Sequence, residues 1–272
     1  MQTRKNIKET FGNIDVVLLC GGHGNRLREA VSDRPKPMAQ INRQPFLDIL
    51  IDYFSGFGFR RFILCTGHKS EMISEYYAKK NDSNEYIISD EKTPLGTAGA
   101  LKNAERFIRS NHFIVVNGDS FCKADLCKFY NFHLERNSLM SMAVVESKDT
   151  NDSGLVTLNE TQRIVGFDEK KHTSRKGYIN AGIYLFQKAV FSMIPPAVKS
   201  SLEYDVFPKL TKQSSFAFVV CEKLLDIGTP QRYERAKGYF SGETGLLSSS
   251  DSRKKAFEQQ NESVNTMVTE NV

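Results

Sequence analysis

The sequence predicts an α/β protein: a mostly parallel central sheet with helices on both faces, extended by a mixed or antiparallel portion. Three observations predict it. In the first half, short apolar runs alternate with segments whose apolar residues recur at helical spacing, as in parallel strands joined by crossover helices. In the second half, strand-like runs follow one another, several separated only by short turns. The first-half runs also end at Gly or Asn-Gly, residues that terminate a buried strand.

Residues 14–20 are mostly apolar and stop at Gly21-Gly22, which fits a buried strand. Residues 46–54 carry Phe46, Leu47, Leu50, Ile51 and Phe54 at the spacing of one helix face. Residues 61–66, closed by Gly67, and 86–89 read as the second and third strands. Residues 97–108 set Ala98, Leu101, Ala104 and Ile108 on one side of a helix. Residues 112–116 form a strand stopped by Asn117-Gly118. Beyond it, residues 139–145, 154–158, 163–168, 178–186 and 216–221 all read as strands. The chain shows no internal repeat. Residues 1–12 read as a polar N-terminal extension and 13–240 as the folded domain. Residues 241–272, rich in Ser, Glu, Asn and Lys, read as a largely disordered tail.

The bulk properties narrow the function classes. A chain of 272 residues with 40% hydrophobic and 25% charged residues can bury a sizeable core. The net charge of +5 is spread among mixed signs with no long like-charged block, which suits a polyanionic small molecule as well as it suits nucleic acid, and a small molecule without nucleic acid is the expectation. No apolar run approaches the ~20 residues of a membrane helix, and the polar start carries no signal segment. A cytoplasmic location without membrane contact is the expectation. Cys20, Cys65, Cys122, Cys127 and Cys221 are odd in number and scattered, and read as reduced core thiols.

The chemistry-bearing residues begin where the first strand ends. Gly21, Gly22 and Gly24 lie in Gly-Gly-His-Gly-Asn25-Arg26-Leu, and Lys36 follows in Arg-Pro-Lys-Pro-Met. Glycines at a strand end let backbone N–H groups approach a phosphate. Arg26 and Lys36 add fixed positive charge for a triphosphate, and Pro35 and Pro37 should hold Lys36 extended. The glycines alone could be a tight turn. Their spacing matches neither the dinucleotide fingerprint nor a Walker loop.

Gly-Gly-x-Gly-x-Arg-Leu followed by Pro-Lys-Pro-Met resembles the signature of the sugar-1-phosphate nucleotidylyltransferase family, and the resemblance covers roughly residues 14–239. It implies a Rossmann-like, three-layer nucleotidyltransferase fold. Asn25 stands where that family usually has Thr or Ser, and an Asn can still donate to a phosphate oxygen. The resemblance implies Mg²⁺ as cofactor, held by Asp119 of Asn-Gly118-Asp-Ser and Asp226 of Asp-Ile-Gly-Thr-Pro. Mg²⁺ takes one or two carboxylates and fills its other positions with water and phosphate oxygens. Taken singly, Asp119 could be a turn residue and Asp226 a helix N-cap.

Pro-Leu-Gly96-Thr97-Ala-Gly borders the nucleobase in the family, and this version resembles that of guanylyltransferases acting on manno-configured sugars. Guanine N1–H and N2–H₂ need acceptors, for which backbone carbonyls or Glu91 would serve. Gly154, Glu169, Lys170, Asn180 and Glu203 fall where the family binds the sugar phosphate, although Lys170-Lys171 also fits a plain surface turn. The motifs are most similar to those of D-glycero-D-manno-heptose 1-phosphate guanylyltransferases, with mannose-1-phosphate guanylyltransferases next.

The implied substrates are GTP and a sugar 1-phosphate. The implied reaction is in-line attack of a sugar-phosphate oxygen on the α-phosphorus, giving a GDP-sugar and pyrophosphate for surface polysaccharide assembly. Arg26 would hold the pyrophosphate, Lys36 the charge at the transferring phosphorus, and Mg²⁺ on Asp119 and Asp226 the phosphate oxygens. A catalytically silent nucleotide-sugar binder would not need all four of these residues. A glycosyltransferase would carry an Asp-x-Asp motif in place of the glycine loop. The sequence leaves the oligomeric state open, a homo-oligomer included.

Overall fold

Val16, Val17 and Leu18 are all fully buried, which requires a strand covered on both faces. They form β1 (Asp15–Leu19), the middle of a mostly parallel half-sheet. The computed structural model describes residues 11–22, 24–148, 150, 153–169 and 176–247. β1 pairs in parallel with β4 (Arg61–Thr66) and with β6 (His112–Asn117), and β4 pairs in parallel with β5 (Glu85–Asp90). Two short hairpin strands, β2 (Gln40–Ile41) and β3 (Gln44–Pro45), lie outside this sheet.

Alternation along the strands builds two cores. Val16 and Leu18 of β1, with Ile114 and Val116 of β6, pack with α1 (Phe46–Phe57), α2 (Ser70–Ala78) and the later helices α4 (Leu126–Glu135) and α6 (Pro230–Leu247). Val17, Phe113 and Val115 turn to the other face, against Ala98, Leu101 and Ala104 of α3 (Gly96–Ala104) and Phe207 and Leu210 of α5 (Phe207–Leu210). Fully burying such a side chain contributes about 1.5–3 kcal/mol. The three-layer α/β architecture expected from the alternation is present.

The second half is mixed. β11 (Gly177–Gln187) runs antiparallel to β6 along residues 183–187 and antiparallel to β8 (Met140–Ser147) on its other edge. Nearer its start, Tyr178 and Ile179 pair with β9 (Leu155–Leu158), which pairs antiparallel with β10 (Ile164–Asp168). β12 (Ser215–Val220) adds to β8 in parallel. Thus β11 changes partner from β9 to β6, and residues 180–182 lie at the change. The register with β8 also shifts there, and Gly182 adopts a φ of 74° that a side-chain-bearing residue rarely takes.

Several expectations need correction. α2 and α4 are absent from the sequence-based account because few of their residues face the core: Ile73 and Tyr77 in one, Leu126, Phe129 and His133 in the other. The extension assigned to 1–12 reaches too far, since Phe11 is 1% exposed and stacks on Phe59 at 4.5 Å. The tail assigned to 241–272 starts too early, since α6 runs through Leu247 and buries Phe240 against Phe46 and Phe121. The remainder of both segments lies outside the described residues. Cys20, Cys65 and Cys122 are buried thiols, but Cys221 is exposed just past β12.

Candidate active site

The loop after β1 is held at both ends. Cys20 N–H donates to the Cys65 carbonyl at 2.8 Å, and Leu27, 1% exposed, anchors the far side. Asn25–Leu27 form one 3₁₀ turn, which leaves Arg26 exposed. Glu91, just past β5, fills the space beside Gly21: a β-carbon there would stand 2.7 Å from Glu91 Oε1. Glu91 Oε2 accepts from Leu95 N–H at 3.0 Å, so one carboxylate ties the glycine loop to the segment before α3. His23 lies outside the described residues.

Lys36 is not extended. It opens a 3₁₀ turn, closed by Met38 N–H on the Pro35 carbonyl at 2.8 Å and Ala39 N–H on the Lys36 carbonyl at 3.0 Å. Pro35, Pro37 and Met38 are buried, so the turn is pinned while the Lys36 ammonium reaches out to Asp119 Oδ2 at 2.5 Å. Asp119 follows Gly118, whose N–H donates to the Leu19 carbonyl at 3.0 Å. A β-carbon on Gly118 would lie 2.7 Å from that carbonyl, so only glycine lets the ends of β1 and β6 close to this distance. Burial works to raise the Asp119 pKa. The Lys36 charge and hydrogen bond, with a further bond from Ser120 at 3.1 Å, hold it below the usual carboxylate range.

Asp226 arrives through pairing distant in sequence. β13 (Leu224–Asp226) runs antiparallel to β7 (Ser120–Cys122), which sets Asp226 opposite Ser120. Ile227 N–H then donates to the Asp119 carbonyl at 3.0 Å. Asp226 Oδ1 accepts from Gly228 N–H at 2.9 Å and pairs with Arg232 Nη1 at 3.4 Å. Two carboxylates on adjoining strand ends match the donor set Mg²⁺ takes when phosphate and water complete its shell. Among the described residues no group of three or more His, Cys, Asp and Glu gathers as a metal site. Gly24, Arg26, Lys36 and Gly228 line one open cleft of ≈ 350 Å³.

The sugar-side candidates gather at the partner change in β11. Asn180 N–H donates to the Gly154 carbonyl at 2.9 Å, and a β-carbon on Gly154 would meet Glu169 Oε2 at 2.9 Å. Asn180 Oδ1 accepts from Gly182 N–H at 2.9 Å, and its Nδ2 donates to Tyr184 Oη at 2.7 Å. Glu203 carries the same oxygen, Oε2, to Thr97 Oγ1 at 2.7 Å and Ser201 Oγ at 2.6 Å. Lys170 lies outside the described residues, as does the Asn25 side chain.

Sequence reasoning missed Tyr184 and Arg232. Tyr184 is fully buried, and its place in an apolar strand gave no polar signal. Arg232 follows Asp226 by six positions in the first turn of α6, a basic residue that spacing alone does not single out. The nucleotide assignment of Thr97 is not what its bonds describe: its hydroxyl is used on Glu203 and on Leu202 N–H at 2.8 Å.

The chain is similar to known proteins over most of its length. Residues 15–240 match the model of the family described as nucleotidyl transferase. A D-glycero-alpha-D-manno-heptose 1-phosphate guanylyltransferase of Aneurinibacillus thermoaerophilus is 35% identical over 225 residues, 82% of this chain and 97% of that protein. A mannose-1-phosphate guanylyltransferase of Mycobacterium tuberculosis is 32% identical over 228 residues, 82% of this chain and 63% of that protein. The crystal structure of HddC from Yersinia pseudotuberculosis, solved also in complex with GMP-PN, superposes with a TM-score of 0.75 at 36% identity, covering 84% of this chain and 99% of that one. With the family match spanning residues 15–240 and relatives at 35% identity, this chain belongs to the nucleotidyl transferase family.

Proposed function

We propose that the protein transfers GMP from GTP to a manno-configured heptose 1-phosphate, D-glycero-α-D-manno-heptose 1-phosphate, releasing pyrophosphate. The observation that carries the chemistry is the convergence of Arg26, Lys36 and Gly24 on one cleft beside Asp119 and Asp226. In the reaction an anionic oxygen of the sugar phosphate forms a bond to the α-phosphorus. The bond from that phosphorus to the β-phosphate bridging oxygen breaks, and pyrophosphate leaves with the electron pair. The nucleophile is already ionised, so no general base is required, and the work is positioning and charge stabilisation.

Arg26, exposed on the cleft, binds the departing pyrophosphate. Lys36, with its stem pinned by the 3₁₀ turn, carries positive charge to the transferring phosphorus. Asp119 and Asp226 would hold Mg²⁺, which would neutralise charge on the phosphate oxygens. Asn180, Glu169 and Glu203 accept or donate to sugar hydroxyls. Backbone carbonyls or Glu91, at the segment preceding α3, accept from guanine N1–H and N2–H₂. A GTP-consuming step of this kind supports a cytoplasmic location. No described helix is long and apolar enough to cross a membrane.

The heptose is preferred over mannose because this chain aligns with 97% of the heptose 1-phosphate guanylyltransferases of A. thermoaerophilus and Campylobacter jejuni but with 63% of the M. tuberculosis mannose enzyme. Pyrophosphate release measured with GTP, ATP, UTP and CTP, each with both sugar phosphates, tests the proposal. GTP with the heptose phosphate should give the highest kcat/KM. Pyrimidines should lose about ten- to a hundredfold per unmatched polar group. A pyrimidine preference would overturn the guanine assignment, and better use of mannose 1-phosphate would overturn the heptose assignment.

A further inference from the structure

We infer that Thr97 is a positioning residue for the sugar-phosphate side of the site: its hydroxyl fixes Glu203, so it governs use of the sugar phosphate and not of the nucleotide. The inference rests on the function proposed above, which puts Glu203 at the sugar.

A threonine hydroxyl has one proton to give. Thr97 gives it to Glu203 Oε2 at 2.7 Å and accepts from Leu202 N–H at 2.8 Å, so its one donor is already used within the protein. Ser201 Oγ makes the second bond to the same oxygen at 2.6 Å, and both bonds to this carboxylate therefore fall on Oε2. Oε1 is the oxygen left to accept a sugar hydroxyl. Tyr184 links this carboxylate to Asn180. Burial chiefly, and the Glu203 charge next, raise the pKa of Tyr184, whose Oη accepts from Asn180 Nδ2 at 2.7 Å.

Glu203 needs external fixing because its backbone is irregular. Residues Leu202–Val206 form a π-helical turn, an arrangement that occurs frequently at functional sites. Ser200, just before the turn, docks on the start of α3 by backbone bonds that do not involve the Thr97 side chain. The Ser200 carbonyl accepts from Ala98 N–H at 3.0 Å and Gly99 N–H at 3.2 Å, and Ser200 N–H donates to the Leu95 carbonyl at 2.8 Å. Gly96 lets the two backbones meet, since a β-carbon there would collide with the Ser200 carbonyl. Removing the Thr97 hydroxyl thus keeps these three backbone bonds, takes the acceptor from Leu202 N–H and leaves Glu203 Oε2 held by Ser201 alone. The hydroxyl links the helix that opens at the nucleobase to the residue that reads the sugar, across 106 positions of sequence.

The test compares Thr97→Val, Thr97→Ser, Glu203→Ala and the Thr97→Val/Glu203→Ala double variant, each with GTP and D-glycero-α-D-manno-heptose 1-phosphate, with a melting curve for each. Loss of a hydrogen bond to a charged group should raise the sugar-phosphate KM of Thr97→Val about tenfold, with the GTP KM unchanged within about twofold. Thr97→Ser should restore it. The double variant should be no worse than Glu203→Ala, because both act on one group. A raised GTP KM with an unchanged sugar-phosphate KM in Thr97→Val would overturn the inference and return Thr97 to the nucleotide. A lowered Tm with both KM values unchanged would overturn it in favour of a purely structural role. If Glu203→Ala raises the sugar-phosphate KM and Thr97→Val does not, only this inference falls. If Glu203→Ala leaves that KM unchanged, the assignment of the sugar site falls with it.

Discussion

The two halves of the sheet hold their candidate ligands in different ways. On the parallel half, Arg26, Lys36 and Asp119 sit in loops beyond the carboxyl ends of β1 and β6, and an ion pair sets the geometry of Lys36 and Asp119. On the mixed half, Gly154, Asn180 and Glu169 surround the point where β11 exchanges β9 for β6, and neutral hydrogen bonds and close backbone contacts set theirs. On the function proposed above, the phosphate end meets concentrated charge, which is best met by cations on pinned turns. The sugar end must read hydroxyl positions, which calls for groups locked on rigid elements. Loss of a charge should therefore appear in turnover, and a disturbance of the notch in β11 should appear in sugar-phosphate affinity.

The largest effect is expected from Lys36→Ala. Removing one charge aimed at the transferring phosphorus should lower kcat by about 10²- to 10³-fold. The Asp119 carboxylate that loses its partner is 36% exposed, so Tm should change little. Steady-state kinetics with a melting curve will separate the two, and a large fall in Tm would make Lys36 chiefly structural.

Next come Asp119→Asn and Asp226→Asn. Each should reduce Mg²⁺-dependent turnover by about a hundredfold, and the pair together by little more, because both serve one ion. Magnesium titrations of the single and double variants provide the check. Multiplicative losses at saturating Mg²⁺ would mean two separate roles.

Gly154→Ala probes the other half. The added methyl would stand 2.7 Å from Phe167 Cζ and 2.9 Å from Glu169 Oε2, so one of them must move. The sugar-phosphate KM should rise by about tenfold while kcat at saturation and the GTP KM stay near the parent. An equal rise in the GTP KM would show that the halves are not separable.

The smallest effect on activity is expected at the seam far from the cleft. His133 of α4 lies between His112 of β6, at 3.0 Å, and Ser141 of β8, at 2.9 Å. Burial, and then the neighbouring His112, lower the His133 pKa to about 3. The unfolded chain takes up this proton first, near pH 6.5. Stability is therefore full above about pH 6.5 and declines as pH falls toward 3. His133→Gln should show a shallower fall in Tm between pH 7 and pH 5 with unchanged turnover at pH 7. An equally steep fall would assign the acid sensitivity to other groups.

The sequence by itself marked the loops at the carboxyl ends of β1 and β6. Gly21 to Leu27, Lys36 between two prolines, and Asp119 after Asn-Gly are short contiguous signatures, because loops at strand ends take their shape from a few neighbouring residues. It also determined the parallel half of the sheet, since strands buried on both faces must be apolar along their length. The sugar end was legible only through resemblance. Tyr184 carries its hydroxyl to Asn180 from inside an apolar strand, and Gly182 matters because β11 changes partners beside it. Tertiary structure alone decided that Asp226 faces Ser120, that Lys36 turns where two prolines suggested extension, and that Thr97 serves Glu203. These are contacts between segments distant in sequence, and no local propensity encodes which distant group a hydroxyl or carboxylate will meet once the cores on both faces of the sheet have closed.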